Sequence, residues 1–218
     1  NEPVLFNIRG ACYAGLGQLD TAVKNYEKAL TVKPGYAEAH NNLGVTLQRL
    51  GQLDAAVKSY KKALTIKSDY PEAHNNLGNA FKKLGQLDDA VKSYEKALTI
   101  NTHFADAHYN LGVTLQELGQ LDAAVKSYEN VLTVKPDYVE AFNNLGSTLK
   151  ELGQLDTAVK SYEQVLDINP DFAEAHNNLG VTLQELVRHD DAVECFEKAL
   201  VIKPDYVDAH RNLGISLQ

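Results

Sequence analysis

The chain is poor in cysteine, in positive charge and in long apolar runs. Its 218 residues include only two cysteines, Cys12 and Cys195, near opposite ends. Two distant cysteines exclude a disulfide framework and are typical of a reducing compartment. No apolar run approaches the ~20 residues of a membrane span. Lys and Arg number 21 against 29 Asp and Glu, which disfavours nucleic acid as a partner because phosphate binding needs clustered cations.

The first residue is not methionine, and the opening stretch NEPVLFNIRG resembles the start of an excised segment. We therefore expect the native N-terminus to be absent, which leaves any targeting peptide open. Without a membrane span, a cytoplasmic protein is the default expectation. Hydrophobic residues make up 44% of the chain and charged residues 23%, which is enough apolar material for a sizeable core.

What the chain does contain is a repeat of 34 residues. Five copies align without gaps, a sixth at the start has a divergent first half, and the last residues form the first half of another. The ranges are 3–36, 37–70, 71–104, 105–138, 139–172 and 173–206, followed by the partial copy 207–218. Because repeats of this length bury their apolar faces by stacking, we expect one solenoid over 1–218.

Each copy predicts two helices joined by a turn. In 37–70, apolar or small residues recur at helical spacing up to Leu50, GQLD interrupts the pattern, and the spacing resumes at Ala56. Proline follows the second helix in four copies, at Pro34, Pro136, Pro170 and Pro204. Aspartate stands where the second helix begins, at Asp20, Asp54, Asp88, Asp122, Asp156 and Asp190, which favours the helix dipole. Asp69, Asp137 and Asp171, each followed three residues later by Glu, predict capping boxes for the first helices.

These repeats resemble the tetratricopeptide repeat family over residues 3–218. In copy 105–138 the family signature falls on Leu111, Gly112, Leu115, Ala124, Tyr128, Val131 and Pro136, with His108 where the family most often carries Trp. The resemblance implies an all-α fold, a right-handed superhelical solenoid of antiparallel helix pairs, with the first helices lining a concave groove. Three departures from the pattern predict softer joints. Ser68 and Thr102 replace the proline after the second helix, Pro71 places that proline three residues later, and Val187 replaces the turn glycine.

Two sets of repeated residues have a structural and a functional interpretation. Glycine inside the first helix, at 10, 44, 78, 112, 146, 180 and 214, favours close helix packing over a phosphate loop, which would need a strand-to-helix turn. Histidine recurs at His40, His74, His108, His176 and His210, and Phe6 and Phe142 fill the same position. Zinc–nitrogen bonds are ~2.0–2.1 Å whereas stacked helices lie ~8–10 Å apart, so these histidines predict a packed slot and no metal site.

Asparagine recurs on one face of the first helix. Residues at i, i+4, i+7 and i+11 share a face, so Glu38, Asn42, Val45 and Arg49 form a stripe beside the buried stripe of His40, Leu43, Leu47 and Leu50. Stacking aligns a set that we call the column: Asn42, Asn76, Asn110, Asn144, Asn178 and Asn212. A primary amide offers donors and an acceptor to any peptide bond. The column also resembles the asparagine ladder of O-linked N-acetylglucosamine transferases, which implies a grip on peptide backbones in the groove.

Two further rows beside the column predict side-chain selectivity for the ligand. One is Val45, Asn79, Val113, Ser147 and Val181. The other, Arg49, Lys83, Glu117, Glu151 and Glu185, changes from basic to acidic and predicts a ligand with the opposite polarity. The competing interpretation is that the amides bridge adjacent repeats. We favour bridging for the preceding set, Asn41, Asn75, Asn143 and Asn177, and capping over ligand contact for Glu38, Glu72, Glu140 and Glu174.

No constellation of nucleophile, base and oxyanion donors is present in the sequence, so we expect no catalytic residues, no enzyme activity and no cofactor. The leading hypothesis is a scaffold that binds an extended peptide or protein segment in its groove. The alternative is a substrate-recruiting segment of a larger enzyme, such as a glycosyltransferase. A third hypothesis is end-to-end self-association, because the cut at Gln218 leaves Leu213 and Leu217 uncovered. A receptor for chaperone tails is disfavoured, since Asn41, Asn75, Tyr109 and Asn143 stand where lysine would be needed.

Overall fold

The computed structural model describes residues 2–217, so Asn1 and Gln218 of the predicted domain lie outside the described residues. These residues form thirteen α-helices and no strand, which confirms the all-α prediction. The helices are α1 (Glu2–Gly15), α2 (Leu19–Val32), α3 (Ala37–Arg49), α4 (Leu53–Ile66), α5 (Pro71–Lys83), α6 (Leu87–Ile100), α7 (Ala105–Glu117), α8 (Leu121–Val134), α9 (Val139–Glu151), α10 (Leu155–Ile168), α11 (Ala173–Glu185), α12 (His189–Ile202) and α13 (Val207–Ser216). Within residues 2–217, no helix is long and apolar enough to cross a bilayer.

The helices group into two compact units, residues 1–114 and 115–218, and the boundary falls inside α7. In the first unit the hairpins α1–α2, α3–α4 and α5–α6 stack in chain order, with α2 packed against α3 and α4 against α5. In the second unit α8 packs on α9, and the hairpins α9–α10 and α11–α12 follow, with α13 on α12. Each unit is therefore a stack of helix pairs. One solenoid spanning both units stays a prediction.

The glycines inside the first helices allow their hairpins to close. A Cβ atom on Gly10, Gly44, Gly78, Gly146 or Gly180 would lie 2.5–2.8 Å from the ring of Tyr26, Tyr60, Tyr94, Tyr162 or Phe196 respectively. Each ring is at most 2% exposed, so it cannot move aside cheaply. The prediction of close packing for these glycines is confirmed. Gly214 in α13 differs, because a Cβ there would meet nothing within 4 Å.

The turn inside each hairpin needs a left-handed residue. Five turns place glycine there, with φ between 70° and 76°, at Gly17, Gly51, Gly85, Gly119 and Gly153. The turn between α11 and α12 keeps the same conformation with Val187 at φ 61°. A β-branched residue is strained in this region, because its Cβ approaches the backbone carbonyl. The substitution therefore leaves the path of the chain intact and places strain in the turn.

The capping boxes predicted for the first helices are wrong. The residue at the N-cap of α5, α9 and α11 is Tyr70, Tyr138 or Phe172, none of which caps through its side chain. Asp69, Asp137 and Asp171 precede the N-cap by one residue. The aromatic ring gains packing instead: Lys67 Nζ lies 4.8 Å and Lys135 Nζ 5.4 Å from the centre of the following tyrosine ring. A capping bond contributes ~1 kcal/mol, which ring burial and cation–π contact can exceed.

Candidate functional site

The asparagines of the column are joined to the preceding set by side-chain hydrogen bonds between adjacent repeats. In five of the six, Nδ2 donates to the Oδ1 of the asparagine 35 residues earlier, at 3.0–3.3 Å. Asn144 is the sixth, and Tyr109 stands 35 residues before it. In the first unit the bonds run from Asn42 to Asn7, Asn76 to Asn41 and Asn110 to Asn75; in the second they run from Asn178 to Asn143 and Asn212 to Asn177. Bridging therefore occurs, but it joins one amide to another and does not satisfy backbone groups.

The two members of each bond lie in different environments. Asn41, Asn75, Asn143 and Asn177 of the preceding set are only 6–7% exposed, whereas the column residues are half-buried. The Oδ1 atoms of Asn42, Asn76, Asn110, Asn178 and Asn212 accept no hydrogen bond within residues 2–217 and are not buried. The column thus presents carbonyl oxygens to solvent while its nitrogens are fixed at the joints between repeats.

The stripe beside the buried face is confirmed in α3. His40, Leu43 and Leu47 are buried there, while Glu38, Val45 and Arg49 are exposed and Asn42 lies at the border.

Glutamate at the start of the first helix has a further contact in the second unit, where Asn143 Nδ2 donates to Glu174 Oε1 at 3.1 Å. The carboxylate of Glu174 thus joins the amide network and does not cap its own helix.

The charged row, Arg49, Lys83, Glu117, Glu151 and Glu185, lies at the exposed C-terminal ends of the first helices. In the first unit, Arg49 Nη1 donates to the Ala14 carbonyl at 2.8 Å and so covers the end of α1, and Lys83 is exposed. In the second unit, the exposed Glu151 Oε1 accepts from Gln116 at 2.8 Å, and Glu185 lies 3.8 Å from Lys150 Nζ. Glu117 is exposed as well. Because these side chains also contact neighbouring repeats, their charge is only partly available to a ligand.

Family models cover most of the chain. A model of the TPR repeat matches residues 10–51, 49–85, 78–119 and 146–187. Models of the tetratricopeptide repeat match residues 105–138 and 173–206, and 127–160. The chain belongs to the tetratricopeptide repeat (TPR) family. The predicted resemblance is confirmed. A comparison with curated proteins gave no match.

Several solved structures are similar to this chain. YrrB, described as a TPR protein with an unusual peptide-binding site, is 28% identical over 85% of this chain and 96% of its own, with a TM-score of 0.76. MamA is 28% identical over 74% of this chain and 95% of its own, with a TM-score of 0.72. PilF of Pseudomonas aeruginosa has a TM-score of 0.83 over 98% of this chain and 97% of its own. At 18% identity it supports the fold alone.

The predicted selectivity row of Val45, Asn79, Val113, Ser147 and Val181 has a structural role inside the TPR hairpins that helical spacing alone does not indicate. Tyr94 donates its hydroxyl to Asn79 Oδ1 at 2.8 Å, and Tyr162 is hydrogen-bonded to Ser147. In the copies with Val45 and Val113, the corresponding tyrosine donates to a glutamine three residues further along: Tyr60 to Gln48 at 3.0 Å and Tyr128 to Gln116 at 3.1 Å. Val113 and Val181 are half-buried. Each of these tyrosine hydroxyls, buried by the fold, therefore finds a side-chain acceptor.

A sequence signal for this pairing was present. The residue three positions after each member of this row varies with that member. After the polar Asn79 and Ser147 it is a lysine, Lys82 or Lys150, whereas after each valine it is a glutamine. A lysine ammonium cannot accept a hydrogen bond. In copy 173–206 the tyrosine is replaced by Phe196, and Gln184 donates to Ser216 of α13 instead. Asn79 and Ser147 are thus explained by the hydroxyl that they contact.

The histidines that recur in the first helices form hydrogen bonds to the end of the preceding repeat. The Nε2 of His40, His74, His108, His176 and His210 each donates to the carbonyl six residues earlier, at 2.8–3.1 Å. Burial, partly offset by this bond, lowers the pKa of His40 and His74, and nearby lysines lower it slightly further. The packed-slot interpretation fits this geometry. Within residues 2–217, no group of three or more His, Cys, Asp or Glu could hold a metal ion.

The two cysteines lie in different surroundings. Cys12 is exposed, whereas Cys195 is buried in α12, and burial raises the pKa of its thiol to about 11. A thiolate is the nucleophilic form of cysteine, so Cys195 is almost entirely in its unreactive form at neutral pH.

Proposed function

We propose that the chain is a protein-interaction scaffold that binds an extended peptide or partner segment along its first helices. The column amides hold the backbone of this segment. The observation that carries the proposal is the unpaired, solvent-facing Oδ1 of Asn42, Asn76, Asn110, Asn178 and Asn212. Because the Nδ2 of each amide is fixed to the neighbouring repeat, the carbonyl is already oriented, and little side-chain entropy is lost when it accepts a peptide N–H.

The spacing of the column suits an extended chain. Packed helices lie ~8–10 Å apart, while an extended chain advances ~3.3–3.5 Å per residue. Successive column amides therefore meet backbone groups about three residues apart along the ligand. Side chains between these points lie near Val45 and Val113 in the first unit and near Val181 in the second, beside the members of the charged row in the same unit. The peptide-binding site described for YrrB, 28% identical to this chain, supports a peptide as the class of partner.

The same architecture would serve a substrate-recruiting segment of a larger enzyme. The sequence that follows Gln218 in the parent gene separates the two: an adjoining transferase domain favours recruitment. The amide contacts are the same in both cases, so the experiment below tests the binding face itself.

The test selects a random peptide library on the chain and measures the affinity of the enriched peptide by fluorescence anisotropy. N76A/N110A removes two solvent-facing carbonyls. N41A/N75A is the matched control, because it removes the same two inter-repeat hydrogen bonds from the acceptor side. We expect the first variant to weaken binding by about thirtyfold, since two backbone hydrogen bonds contribute ~1 kcal/mol each, and the control by less than about threefold.

Two results would contradict the proposal. If no peptide is enriched, or if both variants lose affinity equally, the column acts only at the joints between repeats. Circular dichroism of both variants under the binding conditions establishes that each retains its helices.

Self-association through the terminal helices has an observation of its own. Leu5 and Ile8 of α1 are 56% and 53% exposed, and Ile215 of α13 and Leu217 directly after it are 60% and 69% exposed. We propose that these apolar faces pack against each other between copies, since unpaired repeat ends tend to associate. Light scattering is expected to show dimers or longer species that L5Q/I8Q abolishes. A monomer at high protein concentration would refute it.

A further inference from the structure

Charge is distributed unevenly along the chain. Residues 1–114 hold 13 Lys and Arg against 11 Asp and Glu, whereas residues 115–218 hold 8 against 18. In the first unit the lysines concentrate on the second helices, away from the column on the first helices: Lys24, Lys28, Lys58, Lys61, Lys62, Lys92 and Lys96. The proposed peptide-binding function makes no use of them.

Two of these lysines border a cleft between α2 and α4. The cleft has a volume of about 680 Å³. Its floor is formed by His40 and Leu43 of α3, its walls include Leu30 and Ile66, and Lys58 and Lys62 line it from α4. Ile66 is 43% exposed and both lysines are exposed. An apolar floor therefore lies beneath two cations.

The positive charge of this cleft is not neutralised within the fold. Within residues 2–217, no carboxylate pairs with Lys58 or Lys62, and Glu27 is the one acidic residue that lines the cleft. His40 donates its Nε2 proton to the Pro34 carbonyl at 3.0 Å, and burial lowers the pKa of its ring, which disfavours a positive charge there. The cleft thus favours a ligand that brings carboxylates with it.

The neighbouring cleft repeats this arrangement. It lies between α4 and α6, measures about 420 Å³, and has His74, Leu77 and Phe81 at its floor. Lys61, Lys92 and Lys96 line it; Lys61 Nζ is 5.4 Å from the centre of the Phe81 ring, and Lys92 is 3.4 Å from Asp89. Two adjacent repeats of the first unit therefore combine lysines above an apolar floor.

We propose that the cleft between α2 and α4 is a second binding site, for an acidic peptide segment. Carboxylates of the segment meet Lys58 and Lys62, and an aliphatic side chain fills the space between Leu43 and Ile66. A peptide fits better than nucleic acid, because two lysines fall short of the ~6–10 phosphate contacts of typical nucleic-acid complexes. The apolar floor also offers nothing to a phosphate backbone.

Position-matched lysines in the second unit provide the control. Lys126 and Lys160 occupy the position of Lys58 in α8 and α10, but Asn130 and Gln164 stand at the position of Lys62. K58Q/K62Q and K126Q/K160Q remove the same net charge from exposed sites. Only the first pair of substitutions changes the lining of the cleft.

The experiment titrates the chain with a fluorescein-labelled heptapeptide of Asp and Glu around one leucine, followed by anisotropy. A second titration, followed by NMR, monitors the ring resonances of His40 on the floor. We expect binding that weakens with salt, a shift of His40, and a loss of about three- to tenfold in K58Q/K62Q, given the modest strength of exposed ion pairs. K126Q/K160Q and the column variant N76A/N110A are expected to bind within about twofold of wild type.

Each other outcome would overturn the proposal. If the peptide does not bind, or if the His40 resonances do not shift, the peptide has no site in this cleft. Equal loss in K58Q/K62Q and K126Q/K160Q means that the probe responds to net charge alone. Equal binding of a heptapeptide with Asn and Gln in place of the acids removes the role of the lysines. Loss in N76A/N110A assigns the probe to the column, so the failure of this site and of the proposed function can be told apart.

Discussion

Substituting Val187 by glycine should stabilise the second unit. Val187 sits at φ 61° in the turn where five other hairpins place glycine. A left-handed conformation costs a β-branched residue about 2 kcal/mol. Glycine removes this strain but lowers the stability by about 0.5–1 kcal/mol, because the unfolded chain gains conformational entropy. The valine side chain is 74% exposed, so its loss removes only about 0.5 kcal/mol of burial. The net gain in the free energy of unfolding is about 0.5–1 kcal/mol.

The assay is urea unfolding followed by circular dichroism, together with hydrogen exchange of α11 and α12, because stacked repeats open locally as well as globally. G153V is the mirror control: it places valine in a turn at φ 73° and should cost about 1 kcal/mol or more. If V187G is neutral or destabilising while G153V is tolerated, the left-handed turn carries no strain and the reasoning fails.

Three further predictions concern the packing of the hairpins. G78A should destabilise by more than about 1 kcal/mol because its Cβ would lie 2.5 Å from a buried tyrosine ring, whereas G214A, with open space around it, should gain ~0.5–1 kcal/mol from helix propensity; urea titration compares them, and equal effects would refute the packing role. N79V should cost ~1–2 kcal/mol by leaving a hydroxyl without this acceptor, and adding K82Q should recover most of it; no recovery in thermal unfolding would contradict the acceptor exchange. Burial lowers the pKa of His40 below its value in the unfolded chain, so on acidification the unfolded state binds the proton first. The contribution of His40 to stability is therefore full above about pH 6.5 and falls as the pH drops below that value. H40F should flatten this pH dependence of the unfolding free energy in urea titrations at several pH values, and an unchanged slope would contradict the prediction.

The repeat architecture could be predicted from the sequence because every local signal recurs in phase. The period of 34 residues, the glycine inside each first helix and the proline after each second helix all indicate the same helix pair. The first helices begin one residue later than the capping boxes predict, since the aromatic residue at 70, 138 and 172 takes the N-cap position. At Tyr70 and Tyr138 the ring contacts the lysine three residues earlier, a side-chain pairing that the capping-box pattern does not contain.

The candidate site was less predictable than the fold. Helical spacing places the column at the border of the buried face, and the structure agrees. Spacing alone could not show that Asn76 would donate to Asn41, because that bond depends on how adjacent repeats are staggered. The same limit applies to Asn79, whose amide faces a tyrosine of the second helix. Its role follows only when two helices are considered together.

The hydrogen bonds of the column have a fixed direction: the donor always belongs to the later repeat and the acceptor to the earlier one. A copy with both asparagines can therefore follow any other such copy. Duplicating or deleting the copy 71–104 or the copy 173–206 leaves each donor amide of its unit opposite an acceptor asparagine in the preceding copy. This interchangeability lets the length of the array change in steps of 34 residues at little cost, so that the reach of the molecule can be altered without redesigning its joints.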